Sequence, residues 1–295
     1  MRKAWNWRFS VQKDILWYLP ITILIIFLFI APVSIMLSNS LHAFNYARPS
    51  EIGTYIGVQN YSQALHSEAF FRSIKRLLSF FLITLTAETI LAIFLAHILK
   101  GIENSRPLLS ILLIPTISAP VVVGLLGRFM LNTSFGIIPY VIGLVFGEQI
   151  TILSEPNLAF IALVIVEIWH WTPLLTLIFY SGLIVLPMDP YDAAKVDGAS
   201  SWNVFWYITL PMMMPIIVAG VVIRGIDLLK IFDEILVMTG GGPGDATELL
   251  NFFIYKLAFR SWNVGQASAI GVLLIGTMLP LTYILFKIIG GGRGN

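Results

Sequence analysis

Six apolar stretches constrain the fold of this chain more than any other feature of its sequence. Each is long enough to cross the hydrocarbon core of a bilayer as a helix, which takes about 20 residues. They are residues 15–37, 77–99, 108–131, 158–186, 212–238 and 264–289. Charged residues make up 12% of the 295 residues, against roughly a quarter in soluble domains. The sequence therefore predicts an all-α, polytopic membrane protein with six transmembrane helices.

The basic residues indicate how these helices are oriented. An even number of spans puts both termini on one side, and an excess of lysine and arginine marks the cytoplasm. A cytoplasmic N-terminus places nine of them inside and six outside; the nine are Arg2, Lys3, Arg8, Lys13, Lys100, Arg106, Lys195, Lys287 and Arg293. The first apolar stretch ends without an A-x-A cleavage site, so we expect it to be an uncleaved first span. The sequence thus predicts a cytoplasmic segment 1–14, a transmembrane domain 15–289 and a cytoplasmic tail 290–295.

Two segments on the outer side carry structure of their own in this topology. The longer is residues 38–76, whose second half, residues 60–76, has apolar positions at helical spacing and basic residues at its end. This pattern predicts an amphipathic helix on the outer surface that leads into the second span. Residues 132–157 are rich in Gly, Pro and Ile. We expect them to dip back into the membrane where protein buries them.

A polar loop, residues 187–211, separates the fourth and fifth spans. Asp189 is expected to cap a short helix whose first residue is Pro190, since a proline at that position loses no hydrogen bond. Asp192 lies three residues after the cap and can reach back towards it as a weak capping box. The loop therefore predicts a short, capped helix outside the membrane.

The same loop has a second, amphipathic part. Ala194 and Gly198 are four residues apart and would give the short helix a smooth, small face. Gly198 suits the turn that ends it, Ser200 or Ser201 would cap the next piece, and Pro211 would stop that piece. A bare helical face outside the membrane is suited to contact with another protein. The default alternative is a plain cytoplasmic connector.

Charged residues inside the fourth and fifth spans need an explanation, since each costs about 2.5–3.5 kcal/mol on insertion scales. Helical spacing puts them on one face of each helix, where they could line a shared aqueous cavity. An aromatic side chain beside polar groups there suits a sugar ring. The candidate substrate-binding residues are Glu167, His170, Trp171, Leu174, Arg224, Asp227, Leu228 and Ile231.

Mutual pairing of these charges is the alternative. Arg224 with Asp227, and Lys230 with Asp227 or Glu234, are natural pairs within one helix. In the second and third spans, an interhelical ion pair between Glu88 and Arg128 is the simplest explanation of those two charges. Arg128 would otherwise lie near the outer interface and extend its head group to water.

Several classes of site find no support in the sequence. The chain has no cysteine, which excludes disulfides, thiolate metal sites and cysteine nucleophiles. The four histidines show no metal-ligand spacing, and no metal site is expected. The glycine-rich residues 240–244 lack the lysine of a nucleotide-binding loop. A net charge of +2 gives no reason to expect nucleic acid as a partner. No nucleophile–base pattern is visible, so no catalytic residue is expected.

Motifs along residues 57–275 resemble the permeases of binding-protein-dependent ABC importers. The polar loop is similar to the signature commonly written EAA–G–I-LP, with an aspartate at 192 where the family usually has glutamate. Other matches are G-x-x-N-Y at 57–61, W-x-x-x-P at 169–173 with Leu186-Pro187, and the run from 232 to 269. The motif residues of the loop are Asp192, Ala193, Ala194, Asp197, Gly198, Ala199, Ile208, Leu210 and Pro211. The resemblance is to the carbohydrate-uptake branch, in the larger-partner class related to the maltose permease.

The resemblance implies the type I ABC importer permease fold, with a coupling helix in the cytoplasmic loop between the fourth and fifth spans. It implies a multi-pass subunit in the cytoplasmic or inner membrane of a bacterium or archaeon. The implied partners are a second permease, two cytoplasmic ATPases that bind ATP and magnesium, an extracytoplasmic solute-binding protein and a carbohydrate. This chain would itself bind no cofactor. The implied ATPase-coupling residues are Tyr191, Asp192, Ala193, Ala194, Asp197 and Gly198. Neutral sugars, acidic oligosaccharides and polyol phosphates all remain open as substrates.

Two other functions are consistent with a polytopic chain of this kind. An ion-gradient-driven secondary transporter would use Asp227, Asp233 and Glu234 as proton or sodium sites on a broken helix. The six spans show no internal repeat, which argues against that function. A membrane enzyme would have to be built on scattered carboxylates. The transporter alternative predicts uptake that follows an ion gradient, whereas an ABC importer requires ATP.

Overall fold

The computed structural model describes residues 11–147 and 150–291. The predicted cytoplasmic segment 1–14 and tail 290–295 therefore lie mostly outside the described residues. The described part is helical apart from one small hairpin and connecting turns. Its α-helices are α1 Val11–Ser40, α2 Gln59–Leu65, α3 Glu68–Lys100, α4 Arg106–Leu112, α5 Ile114–Ile117, α6 Pro120–Met130, α7 Ile137–Phe146, α8 Pro156–Val185, α9 Asp189–Val196, α10 Ser201–Val204, α11 Leu210–Leu228, α12 Asp233–Met238, α13 Leu250–Tyr255 and α14 Val264–Gly291.

Four helical segments in the described chain are long and apolar enough to cross a membrane: residues 18–40, 68–100, 156–185 and 201–228. They correspond to the first, second, fourth and fifth predicted spans. The sixth, 264–289, coincides with α14, which continues through Pro280. Shorter apolar helices make up the region of the third span. The structure thus has the long apolar helices that hydropathy predicts, but the six predicted spans are not six continuous helices.

The predicted third span, residues 108–131, is not one helix. It is divided into α4, α5 and α6, and each of these helices has a proline in its first two positions: Pro107, Pro115 and Pro120. Proline lacks the backbone N–H that would continue a preceding helix, and it disfavours helical angles in the residue before it. The chain turns at Leu113, which keeps right-handed angles, and again at Ser118–Ala119, which are extended before Pro120.

The predicted fifth span, residues 212–238, is also interrupted. Helix α11 ends at Leu228 and α12 begins at Asp233. The side-chain amide of Asn251 donates hydrogen bonds to the carbonyl oxygens of Leu229, at 2.8 Å, and Ile231, at 3.2 Å. Backbone groups freed by a break within an apolar segment need such partners, since they would otherwise stay unsatisfied. Asn251 therefore supports the break.

The described chain forms two compact units. The first comprises residues 11–66 and 254–276. In it, His42–Ala43 pair antiparallel with Thr54–Tyr55. The buried amide of Asn60 donates to the carbonyl oxygens of Ser40 and His42, at 2.9 and 3.0 Å. The predicted amphipathic helix 60–76 is not continuous: α2 ends at Leu65, and α3 begins at Glu68 after Ser67, whose hydroxyl accepts from the N–H of Phe70. Ser67 separates two helices because a serine side chain competes for helical N–H groups.

The second unit comprises residues 67–253 and 277–291 of the described chain. Its core lies where α3, α8 and α11 pack together. Small residues allow the close approach: Ala92 and Ala96 on α3 are fully buried, and a Cβ on Gly220 would lie 2.8 Å from a ring carbon of Phe179. Small residues serve this role between membrane helices, where dispersion contacts replace the hydrophobic effect. The core residues are Ala92, Ala96, Leu175, Phe179, Leu183, Met213 and Ile217.

The segment 132–157 forms α7 and a short turn at Ile152–Ser154, with residues 148 and 149 outside the described part. Gly147 ends α7 in a left-handed conformation, with φ +77°. Such a conformation is characteristic of glycine at a helix C-terminus. The expected return of residues 132–157 into the membrane stays a prediction.

An acidic residue outside the spans, Asp245, is held by two arginines of α3. Its carboxylate lies 2.7 Å from Nη2 of Arg76 and 3.3 Å from Nε of Arg72. Partial burial raises the pKa of Asp245, but the hydrogen bond and charge of Arg76, together with Arg72, more than reverse this effect. The pKa therefore lies below its ordinary value of 3.8.

Replacing Asp245 with asparagine is expected to lower thermal stability modestly at pH 7 and to have no effect in acid. A depressed folded-state pKa adds stability above the unfolded-state pKa, about 3.9, and that stability is lost as pH falls through the folded value. The carboxylate is 42% exposed, so the effect at pH 7 should not exceed about 1 kcal/mol. Melting temperatures of both proteins in detergent at pH 7 and in acid below the folded pKa test this, with Glu103→Gln as a control. An equal loss at both pH values would contradict it.

Candidate functional site

The polar loop forms the predicted short helix, with a different start. Helix α9 begins at Asp189, and Pro190 is its second residue. Met188 already has helical backbone angles, and its carbonyl accepts from the N–H groups of Tyr191 and Asp192. The predicted cap by Asp189 is therefore wrong, since the helix has no side-chain cap bond there. The carboxylate of Asp192 binds Nζ of Lys195 at 3.1 Å instead of reaching back.

The turn after α9 is the one predicted. Gly198 has φ +69°, a left-handed conformation that glycine adopts without steric cost. The N–H of Ala199 then donates to the carbonyl of Ala194 at 2.9 Å. The hydroxyl of Ser200 accepts from the N–H of Asn203 at 3.3 Å and caps α10. Glycine and serine thus fix the corner between the two helical pieces.

Pro211 does not stop the second piece, contrary to prediction. Residues 201–228 form one continuous helical segment in which Phe205–Thr209 adopt a π-helical turn. The N–H of Leu210 donates to the carbonyl of Phe205, five residues back. Pro211 has no backbone N–H to donate. Because the wider π-helical turn comes directly before it, Pro211 is tolerated at the start of α11 and the helix continues. The loop is consequently continuous with the fifth span.

The exposed surface of the loop differs from the predicted smooth face. Ala194 is 7% exposed and packs inside the chain, whereas Asp192, Ala193, Asp197 and Gly198 are exposed. Val196, which is not among the predicted coupling residues, is 88% exposed. Val196 is the last residue of α9, and an apolar residue between Lys195 and Asp197 in a polar loop was the available signal.

Tyr191 ties this helix to two spans. Its hydroxyl donates to Oγ1 of Thr209 at 3.1 Å, just before α11. Nζ of Lys100, the last residue of α3, lies 4.6 Å from the centre of its ring. A cation over an aromatic ring and a hydrogen bond together fix the orientation of α9. Of the six predicted coupling residues, Tyr191 and Ala194 therefore hold α9 against the rest of this chain.

A buried cluster of charges surrounds Arg224 on α11. Its guanidinium donates to both oxygens of Glu88 on α3, at 2.8 and 2.9 Å, and to Asp227 at 2.9 Å. It also donates to Glu167 on α8. Arg224 and Glu167 are 2% exposed and Glu88 is fully buried. A planar guanidinium with five donors is suited to several carboxylates at once, so Arg224 joins three helices.

These contacts confirm one predicted pair and overturn two others. Arg224 pairs with Asp227 as expected. Glu88 pairs with Arg224 rather than with Arg128, whose guanidinium donates to the carbonyl of Val237 at 3.2 Å. The exposed side chain of Lys230 forms no salt bridge within the described part of the chain. Glu88 is a member of this cluster that was not among the predicted site residues, although an isolated carboxylate in an apolar span was its signal.

The predicted substrate residues separate into two layers. Five of them are buried: Glu167, His170, Arg224, Leu228 and Ile231. Trp171 and Leu174 are half-buried, and the side chain of Asp227 is 47% exposed. The ring of Trp171 lies 5.0 Å from Cζ of Arg224, a distance at which a cation attracts an aromatic face. The buried charges thus position Trp171 and Asp227, which have accessible surface.

Comparison with known proteins identifies relatives along nearly the whole chain. The family model described as "binding-protein-dependent transport system inner membrane component" matches residues 13–291. The trehalose/maltose transport system permease protein of Thermococcus litoralis is 33% identical over 274 residues, which are 92% of this chain and 91% of that protein. The sulfoquinovosyl glycerol transport system permease protein of Agrobacterium fabrum is 29% identical over 92% of this chain and 88% of its own length.

Solved structures show the same fold. A chain of a bacterial ABC transporter involved in the import of the acidic polysaccharide alginate superposes with a TM-score of 0.81 and 21% identity, and the match covers 95% of this chain and 96% of that one. In another structure the alginate transporter is in complex with a pentasaccharide-bound periplasmic protein, and its TM-score is 0.77. The chain therefore has the type I ABC importer permease fold, and it belongs to the family of binding-protein-dependent transport system inner membrane components.

Proposed function

We propose that this chain is the permease subunit of an ATP-driven importer that moves a sugar or oligosaccharide delivered by a solute-binding protein. The observation that carries the proposal is the exposed helix α9, held by Tyr191 and joined by a short turn to a 28-residue helical segment, residues 201–228. That segment contains Arg224. A displacement of α9 would pass through the turn at Gly198 and then along this unbroken segment to the charged cluster.

The proposed partners follow from the family and from this geometry. A second, related permease would complete the pathway, and two cytoplasmic ATPases would bind ATP and magnesium and contact α9. A solute-binding protein would dock on the outer side, in agreement with the periplasmic protein bound in the alginate transporter structure. The chain would lie in the cytoplasmic or inner membrane with both termini in the cytoplasm. It would contribute no catalytic residue, since ATP hydrolysis belongs to the partners.

The proposed coupling contacts are the exposed residues of the loop. Asp192, Ala193, Asp197 and Gly198 would meet the ATPase directly, and the exposed Val196 would add an apolar contact. Tyr191 and Ala194 would transmit the movement, because they are held inside this chain. ATP-driven closure of the ATPases would move α9 as a rigid body and switch the pathway between outward and inward access.

The proposed carbohydrate contacts lie on the accessible layer of the site. Trp171 would stack on the apolar face of a sugar ring, and Asp227 would accept hydrogen bonds from hydroxyl groups. The five buried residues would act indirectly, by fixing the positions of Trp171 and Asp227. They are Glu167, His170, Arg224, Leu228 and Ile231. The relatives include a permease named for neutral disaccharides and one named for an anionic sugar. Hydroxyl groups are the feature that these carbohydrates share.

Reconstituted transport tests the proposal. The complex containing this chain is placed in liposomes with ATP inside and the cognate solute-binding protein outside, and uptake is measured across a panel of neutral and acidic carbohydrates. We expect uptake that requires ATP and survives an ionophore that collapses ion gradients. Uptake that persists without ATP and stops with the ionophore would establish the alternative, a secondary transporter that uses Asp227, Asp233 and Glu234.

A further inference from the structure

The carboxylates around Arg224 outnumber the cations that pair with them. Every nitrogen of the Arg224 guanidinium is already engaged, by Glu88, Glu167 or Asp227. Glu234 on α12 is 4% exposed, and its one salt-bridge partner in the described chain is His170. A buried carboxylate without a positive partner is costly. The carboxylates beside His170 therefore have no second fixed cation to pair with in the described chain.

The ring of His170 presents a lone pair to this negative charge. Nε2 lies 3.2 Å from the backbone carbonyl oxygen of Ser118. Because a carbonyl only accepts, Nε2 carries a proton, and Nδ1 is the ring nitrogen that remains to bind a cation. Nδ1 lies 3.4 Å from Oε1 of Glu234 and has no hydrogen-bond partner. Two acceptors face each other, so a positive charge belongs between them.

A third acceptor completes the group. Oε2 of Glu167 is buried without a hydrogen-bond partner. One ligand atom from each of Glu167, His170 and Glu234 lies within 4.8 Å of the other two. Glu167 and His170 form a Glu-x-x-His sequence on α8, and helical bundles use this i, i+3 spacing to bring both side chains to one metal ion.

We propose that Glu167, His170 and Glu234 bind a divalent transition-metal ion, and that zinc is the ion their donors suit best. Zinc binds imidazole nitrogen and carboxylate oxygen, and three protein ligands with a fourth position left for water are the arrangement of an open zinc site. The outer contacts match those of metal sites: the second nitrogen of His170 donates to a carbonyl, and the second oxygen of Glu167 accepts from Arg224. Such contacts fix the tautomer and orient the ligands.

The ion would link helix α8 to helix α12. Glu167 and His170 belong to α8, whereas Glu234 lies in the first turn of α12, directly after the break at residues 229–232. Histidine spacing alone predicts no metal here, because the third ligand comes from a segment 64 residues after His170. Metal binding by these three residues would be independent of the nature of the transported substrate.

Metal analysis of the full chain, purified in detergent with its partner subunits, tests this site. The protein is stripped with a chelator, loaded with excess zinc and desalted, and its metal content is measured by mass spectrometry. We expect one zinc per chain and a higher melting temperature with zinc than without it. His170→Gln and Glu234→Gln should each weaken zinc binding by about 100-fold or more, beyond what loss of an outer contact causes. Asp227→Asn is the matched control, since this carboxylate binds Arg224 outside the group of three, and it should retain zinc.

Spectroscopy of the wild-type protein tests the site without any variant, so the result does not depend on whether a variant folds. X-ray absorption at the zinc edge should show nitrogen and oxygen ligands at about 2.0–2.1 Å with the scattering pattern of one imidazole. Wild-type protein that binds no zinc after loading, or a bound zinc without imidazole, would overturn the proposal. Retention of zinc by folded His170→Gln would also overturn it, and a protonated His170 paired with Glu234 would then account for the geometry.

Discussion

Replacing Arg224 with methionine is expected to destabilise the folded protein strongly. The methionine retains much of the side-chain volume but leaves Glu88, Glu167 and Asp227 without their common partner. Breaking a buried ion pair by removal of one member costs about 3–5 kcal/mol, a large part of the total stability of about 5–15 kcal/mol. The melting temperature in detergent, followed by tryptophan fluorescence, should fall by about 10 °C or more.

Lys230→Met is the matched control for this experiment. Lys230 lies just beyond the end of the same helix, but its side chain is exposed and forms no salt bridge in the described chain. Its replacement should leave stability within about 0.5 kcal/mol of wild type. Adding Glu88→Gln and Glu167→Gln to Arg224→Met should recover part of the lost stability, since the uncompensated charges are then gone. Equal stability of Arg224→Met and Lys230→Met would show that the cluster does not hold the helices together.

Replacing Gly198 with tryptophan is expected to abolish coupling while leaving the chain inserted in the membrane. The left-handed backbone at φ +69° costs a residue with a Cβ about 1–2 kcal/mol. A Cβ at this position meets nothing within 4 Å, so the indole would project from the exposed surface where we propose that the ATPase binds. ATP hydrolysis stimulated by substrate and binding protein should fall to its basal level, and uptake to background. Both are measured in liposomes.

Gly147→Trp separates this effect from local strain. Gly147 also has positive φ, +77°, and equally open space around it, but it ends α7, far along the chain from the loop. It should lose a similar amount of stability and keep substrate-stimulated hydrolysis. Gly198→Trp protein with wild-type stimulation would refute the proposed role of the loop. A comparable loss in both variants would attribute the defect to stability.

The loop shows how far local sequence carries a structural prediction. A short helix that ends before a turn at Gly198, and a serine cap directly after that turn, follow from the preferences of a few residues for particular backbone angles, although the predicted cap by Asp189 did not form. The stop at Pro211 did not follow, because a π-helical turn absorbed the missing N–H. The burial of Ala194 was equally beyond local reasoning, since it depends on what packs against α9.

The charged cluster shows the complementary case. Its members are visible in the sequence as costly charges in apolar spans, and the pair of Arg224 with Asp227 follows from helical spacing. The contact of Arg224 with Glu88 joins residues 136 positions apart, and no periodicity within one helix predicts it. The same is true of Asn251, which satisfies the break in the fifth span from a segment 20 residues or more away.

The sequence by itself determined that this chain is an all-helical membrane protein with a helix–turn–helix loop between two spans, because hydropathy, helix propensity and the conformational freedom of glycine act over a few neighbouring residues. The tertiary structure alone decided which charges meet, which candidate residues are buried, and that Glu234 joins Glu167 and His170. Those outcomes depend on how helices distant in the chain pack against one another. In a low-dielectric interior, that packing decides which buried charges are compensated.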